Sequence, residues 1–340
     1  MDRRLKILGW ANDHGGCGNY RVGLPMWALE QLGHDTLAFT YLNIEVDDSV
    51  DLLVGQLISA EPRSEQWRAL ARKPDRSYGL VYEIDDDVWR LKDTNPARTD
   101  FEGEVGESVR RNIEMADAVT VTNNRLAEVV SAYNKNVFVL PNCIDQAQIR
   151  REITPNERLT VGWAGASGHD KDFQSVQREL KTFFRRNPQV DTHFVGVNHG
   201  PDIGRPDSRY TGWTKNLTEY LAKIDFDLGI APLAYHAFNR SKSDLRFLEY
   251  ASLGIPVVAS DFGPYSESIE HGVTSFLVRH PHEWNKYLRQ LVLDDELRQE
   301  VGRNARDWAA TRTIQANSWR WEDVYLKVCG GTVGWRSLAA

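Results

Sequence analysis

The stretch Ser241–Asp261, SKSDLRFLEYASLGIPVVASD, decides the fold. A helical pattern ends at Gly254, and Pro256 then opens a short β-branched run, Val257-Val258, of the kind that fills a strand buried on both faces. The small residues Ala251 and Ser252 let such a helix lie close to a sheet. Glu249 looks misplaced there: it follows Phe247-Leu248 and leads into the small residues, where a carboxylate needs a partner.

The same alternation runs outward through the chain. In residues 1–142, strand patterns at LKILGW (5–10), TLAFTY (36–41), DLLVGQL (51–57), GLVYEID (79–85), AVTVT (118–122) and VFVLPN (137–142) alternate with helices near 20–32, 64–73, 105–116 and 124–132. This is the rhythm of a parallel, doubly wound sheet. Polar residues and Pro155 mark 143–158 as a linker. A second set then fills 159–312: strands at LTVGWAG, THFVGV, SRYTGW, DFDLGIAPL, IPVVASD and SFLV, with helices near 171–186, 215–223, 241–253, 281–293 and 295–310. A helix within 313–340 closes the chain, with a return to the first domain as one option. The expected fold class is α/β, two Rossmann-like domains in series with a cleft between their strand C-terminal ends.

Composition bounds the function. At 340 residues the chain exceeds one ordinary core, which also favours two domains. A net charge of −7 argues against broad attraction to nucleic acid or anionic lipid. The one basic candidate, Arg68, Arg72 and Lys73 beside Trp67, reads more simply as a solvated helix flank. No apolar run approaches the ~18 residues of a membrane span. MDRRLKILGW lacks the longer apolar stretch of a signal peptide, and Cys17, Cys143 and Cys329 form neither a disulfide framework nor a zinc ligand set. A cytoplasmic protein with reduced thiols is expected.

Ligands of doubly wound sheets bind beyond the strand C-termini. Three loops there carry chemistry. After the first strand, NDHGGCGNYR supplies Gly15, Gly16 and Gly18 for close backbone approach, together with His14 and Arg21; it is a candidate anion loop, although neither a dinucleotide fingerprint nor a P-loop. After the fourth strand come Asp85, Asp86 and Asp87, whose mutual repulsion demands a shifted pKa or a cationic partner; a capping aspartate is the plainer alternative. After the first strand of the second domain, GWAGASGHDKDF carries Gly165, His169, Lys171 and Asp172, with Lys171 placed to meet a diphosphate on a helix end. If the helix of the opening stretch begins near Ser241, then Lys242, Arg246 and Glu249 run down one flank, and Glu249 lies about 12 Å along it at 1.5 Å per residue. That is about the span from a diphosphate to the ribose of one nucleotide, which a carboxylate can clamp. An Arg246–Glu249 ion pair is the plainer alternative.

Four stretches together resemble the GT-B glycosyltransferases, in particular the retaining family 4. VLPNCID (139–145) resembles the family's V-I-P-N-G-V-D hinge, and GWAGASGHDKD its G-R-x-x-x-x-K-G loop. FLEYASLGIPVVASDFGPYSESI resembles L-E-A-M-A-x-G-x-P-V-V-A-S-x-x-G-G-x-x-E-x-I, and GVTSFLV resembles G-x-x-G-x-L-V. The resemblance implies transfer of a sugar from a UDP- or GDP-linked donor, with retention and without a metal cofactor. The acceptor it leaves open: saccharide, protein, lipid or modified nucleic acid.

Residue by residue, Glu249 matches the second glutamate of the family's E-x7-E, which binds the donor ribose. Three positions depart. Ser241 stands where the first glutamate would be, Ala166 replaces the phosphate-binding arginine, and Asp85 occupies the end of the strand where the family has histidine. Lys242 or Arg246 is then expected to supply the missing positive charge. The diphosphate is expected on Lys171, Lys242 and the loop Phe262-Gly263-Pro264-Tyr265, with His169, Gly165 and Gly16 close by. The base is expected near Tyr210–Trp213, and the acceptor near His14, Arg21 and Asp85–Asp87. Catalytic roles fall to Asp85, Asp86, His14 and Lys242. A nucleotide-sugar epimerase of the same fold, and a nucleotide-sugar binding protein without turnover, are the competing readings.

Overall fold

Six parallel strands, in the order β2-β1-β3-β4-β5-β6, make the first sheet: β1 Lys6–Trp10, β2 Asp35–Phe39, β3 Leu52–Gln56, β4 Gly79–Ile84, β5 Ala118–Val121 and β6 Val137–Val139. The computed structural model describes residues 3–43, 45–91, 98, 101, 103–150 and 156–330. The second sheet runs β12-β11-β10-β7-β8-β9, with β7 Thr160–Gly165, β8 Asp191–Gly196, β9 Arg209–Gly212, β10 Leu228–Ala231, β11 Val257–Ser260 and β12 Phe276–Val278. Every pairing is parallel. The central strands β3 and β7 are buried throughout, which explains their mostly apolar or small-residue sequences. At Gly162 of β7 an added Cβ would lie 1.9 Å from the Phe226 ring, so only glycine lets that ring pack against the strand.

In both sheets the strand order reverses direction once, between β1 and β3 in the first and between β7 and β10 in the second. Crevices form at such reversals, beyond the strand C-termini, because the adjoining connections leave on opposite faces. The two crevices face each other here. Crossing chain segments hold them together: Ile144 bridges Thr313, and Arg312 donates to the Asn142 carbonyl and to Asp244. From there the helix Ile314–Gly330 packs Trp321, Tyr325 and Val328 into the same core as Leu5, Ile7 and Val81 of the first sheet. Within the linker, Gln146–Arg150 is helical; residues 151–155, Pro155 among them, and the tail 331–340 lie outside the described residues.

Several expected helices differ in their bounds. The helix expected from residue 20 begins at Gly16 and contains a π-helical turn, Asn19–Gly23, before Leu24–Gln31. The helix expected over 171–186 is two, Asp170–Gln174 and Gln177–Arg186, separated where the Ser175 hydroxyl takes the Asp172 carbonyl at 2.6 Å. The helix expected from Ser241 starts at Leu245 and runs to Ser252, after a short turn at Ala237–Arg240. Asn123 of the first domain holds the segment ahead of the helix: its Nδ2 donates to the carbonyls of Ser241 and Lys242 at 2.9 and 3.1 Å. Lys242 therefore precedes the helix and does not share a flank with Arg246 and Glu249.

No helix among the described residues is long and apolar enough to cross a membrane. On the helix Arg63–Arg72, Trp67 is fully buried and Arg68 pairs with Glu61, so the candidate basic flank is an ordinary solvated face.

Candidate active site

The two crevices enclose one cleft, walled by the loops after β1, β4, β7 and β9 and by the helix Leu245–Ser252. The first domain contributes Gly16, Cys17, Tyr20, Arg21, Asp85 and Asp86, and Asn142 stands at the hinge. The second contributes Gly165, Ala166, His169, Trp213, Thr214 and Lys215, then Tyr220, Lys242, Arg246, Glu249 and Tyr265.

Glu249 has its partner, and it comes from the other domain. The hydroxyl of Tyr20 donates to Glu249 Oε1 at 2.9 Å across the cleft. The π turn at Asn19–Gly23 carries both Tyr20 and Arg21, and π turns occur mostly where function places a side chain. Burial pushes the Glu249 carboxyl up to about 7, against the smaller opposing effects of Tyr20 and Arg246. The Arg246–Glu249 ion pair, the plainer alternative, does not form as a direct contact. Arg246 lines the cleft; its Nε donates to the Ala164 carbonyl at 3.1 Å, its guanidinium lies 5.3 Å from the centre of the Trp163 ring, and its buried Nη1 has no hydrogen-bond partner. A Cβ at Gly165 would lie 2.8 Å from Arg246 Nη2, so this glycine makes room for the guanidinium beside Ala166. The Arg246 side chain thus shares the cleft wall with Ala166.

On the first-domain wall, Asp86 meets Lys242 at 3.3 Å, an ion pair that makes a second contact across the cleft. Burial raises the Asp85 and Asp86 carboxyls above their usual range; Glu83 adds to the rise at Asp85, and Lys242 opposes it at Asp86. The Asp85 carboxylate, more than burial, raises the neighbouring Cys17 thiol, which stays protonated. Asp87 does not join them: it is buried against Arg90, 3.6 Å away. Among the described residues no group of three or more His, Cys, Asp or Glu gathers as a metal site.

Other expected site residues stand elsewhere or do other work. Arg21 lines the cleft, but its guanidinium is committed: Nε and Nη2 grip Glu83 at 2.7 and 3.0 Å, and Nη1 donates to Leu140 O and Asn142 Oδ1. Lys171 is exposed and donates to Gln174, away from the cleft wall, because the turn at Ser167–His169 brings His169 rather than Lys171 to the cavity. Burial and then Arg246 push the His169 imidazole well below its ordinary value, so it stands neutral beside Asp172. His14 is outside the wall and meets Thr40. Ser241 is fully buried, with an Oγ lacking a partner, and is also outside it. Gly263, at φ +59°, and Pro264 turn the chain so that Tyr265 lines the cleft; a Cβ at Gly263 would meet the Asn239 carbonyl at 2.8 Å.

Sequence reading missed Tyr20, Cys17, Glu83, Asn123 and Tyr220. Glu83 carried the signal that drew notice to Glu249, a carboxylate inside an apolar run; the other four give none without the fold.

Two Rossmann-like domains facing each other across such a cleft define the GT-B fold. Residues 245–308, beginning with the helix of Arg246 and Glu249, match the family described as glycosyl transferases group 1. Over 229 residues the chain is 25% identical to N-acetyl-alpha-D-glucosaminyl L-malate synthase of Bacillus anthracis, covering 58% of this chain and 56% of that protein. Over 185 residues it is 36% identical to D-inositol 3-phosphate glycosyltransferase of Paenarthrobacter aurescens (strain TC1), covering 52% of this chain and 39% of that protein. The chain thus spans about half or less of these two relatives.

Among solved structures, Anabaena HepE in complex with UDP-glucose aligns with a TM-score of 0.65 at 15% identity, over 94% of this chain and 99% of that one. Sucrose-phosphate synthase from Thermosynechococcus elongatus aligns equally, at 0.65 and 15%, over 96% and 99%. These likenesses fix the fold, and the family match covers two of the four stretches that carry the resemblance, FLEYASLGIPVVASDFGPYSESI and GVTSFLV.

Proposed function

We propose that the protein is a glycosyltransferase that moves a sugar from a nucleotide-diphosphate sugar, UDP- or GDP-linked, to an acceptor, with retention at the anomeric carbon and without a metal. The observation that carries the proposal is a buried arginine, Arg246, with an unpartnered Nη1, on the wall of a cleft that Glu249 also lines. In this reading Arg246 and Lys242 hold the diphosphate and stabilise the charge that develops as it leaves, the work that a metal does elsewhere. Glu249 exchanges the Tyr20 hydroxyl for the ribose hydroxyls. The base lies against Trp213 and Thr214, and the sugar rests beside Asp85, Asp86 and Cys17. The domain of residues 1–142 presents the acceptor, and that of 159–312 holds the donor. Lys171 drops out of the donor set. Three free cysteines and the need for a nucleotide-sugar supply favour the cytoplasm.

A calorimetric titration of the nucleotide sugar from about pH 5.5 to 8.5 tests the ribose assignment. The ligand's diphosphate diester does not titrate in this range, whereas Glu249 does, near 7. Ribose hydroxyls donate best to an ionised carboxylate, so affinity rises with pH through about 7 and then levels. Glu249→Gln flattens the profile. The sign for stability is opposite: the folded-state value exceeds the ordinary 4.5, so the contribution of Glu249 is full below the unfolded value and is lost as pH rises through about 7. An affinity independent of pH in the unaltered protein sinks the assignment.

A further inference from the structure

We propose that the sugar end of the cleft is built for a donor whose hexose carries no negative charge, and that uronic-acid donors are turned away. The inference rests on the donor reading above and adds the class of sugar. Four observations lead to it. Lys242 Nζ lies 3.3 Å from Asp86 Oδ1, so a diphosphate held by Lys242 brings the sugar attached to it directly against the first-domain wall. That wall is acidic at the point of contact, where Asp85 and Asp86 both line the cavity. Its own cation is already neutralised, because Arg21 is held by both oxygens of Glu83. Across the same cavity, the unpartnered Arg246 Nη1 is on a side chain only 8% exposed, which marks where an anionic group of the ligand belongs and keeps that role away from the aspartates.

The charge balance decides the sugar. With Lys242 drawn to the diphosphate, Asp85 and Asp86 face the hexose without a cation of their own. Hydroxyl groups, or an ammonium, satisfy two carboxylates by donating hydrogen bonds. A carboxylate at C6 can only accept, and it would add a third negative charge beside two carboxylates whose ionisation burial already makes costlier.

The test compares two donors that differ only at C6, a hydroxymethyl against a carboxylate, by calorimetry on the full chain. UDP-glucose and UDP-glucuronate serve, with UDP alone as reference, or the corresponding GDP series if GDP is the nucleotide bound. The glucuronate is expected to bind at least about tenfold more weakly than the glucose, the scale of like-charge repulsion at a few ångströms in a partly buried site. In the double variant Asp85→Asn, Asp86→Asn the gap closes. If the nucleoside diphosphate binds and the glucuronate binds as well as the glucose, this inference fails and the donor reading stands. If neither UDP nor GDP binds at all, both fail together.

Discussion

Arg246→Met is expected to weaken the binding of a nucleoside diphosphate by about 2–4 kcal/mol, the cost of removing a buried charged donor from a phosphate. That is roughly thirtyfold to nearly a thousandfold in Kd. The same substitution should leave the empty protein as stable as before or more so. The guanidinium lies over Trp163 with one nitrogen unpartnered, and an incompletely satisfied buried cation costs more than a methionine stem of similar reach. Calorimetry and urea denaturation of the one variant measure both halves. Unchanged affinity would remove Arg246 from the donor site, and a large loss of stability would show that its role is structural.

The second large effect is expected far from any ligand contact. Glu83→Ala should destabilise the first domain by about 3–5 kcal/mol, because it strands Arg21 as a buried charge. The two side chains are 1% and 2% exposed, and Thr120 also donates to Glu83 at 2.5 Å. Arg21 reaches from this pair to Leu140 and Asn142 at the hinge, so loss of Glu83 also releases the segment that sets the two crevices face to face. The double replacement Arg21→Met, Glu83→Leu strands no charge and should recover much of the stability, though not the hinge contacts. Urea midpoints at constant m-value decide the matter; a single Glu83→Ala variant within about 1 kcal/mol of the parent would contradict it.

Much of this architecture was legible in the sequence, because each central strand of a parallel sheet must read as an apolar run between loop signals, and the twelve strands among the described residues, in two sets, leave little choice of fold. The loops after β1, β4 and β7 were legible as site walls for the same reason: topology fixes which strand ends meet. What resisted was anything set by a contact between the domains. Asn123 holds the segment just ahead of the helix of Glu249, yet it lies more than a hundred residues upstream. Tyr20 reaches Glu249 only because a π turn rotates it into the cleft. Lys171 was expected on the diphosphate and Lys242 or Arg246 as the missing positive charge; where Lys171 and Arg246 stand turned on a short turn at Ser167–His169 and on the space left by Gly165, neither of which a spacing reveals. Local chemistry was readable, whereas the identity of each buried group's partner was not.

The central claim, that this cleft takes a nucleoside diphosphate and its sugar, is tested most directly by thermal unfolding of the unaltered chain with UDP, GDP, ADP and their glycosides at millimolar concentration. A ligand bound by the folded state alone stabilises it by about 2.7 kcal/mol at a hundredfold excess over Kd, enough to raise the unfolding temperature visibly. The account predicts such a rise with one nucleotide series and its loss in Arg246→Met. No rise with any of the three would contradict it.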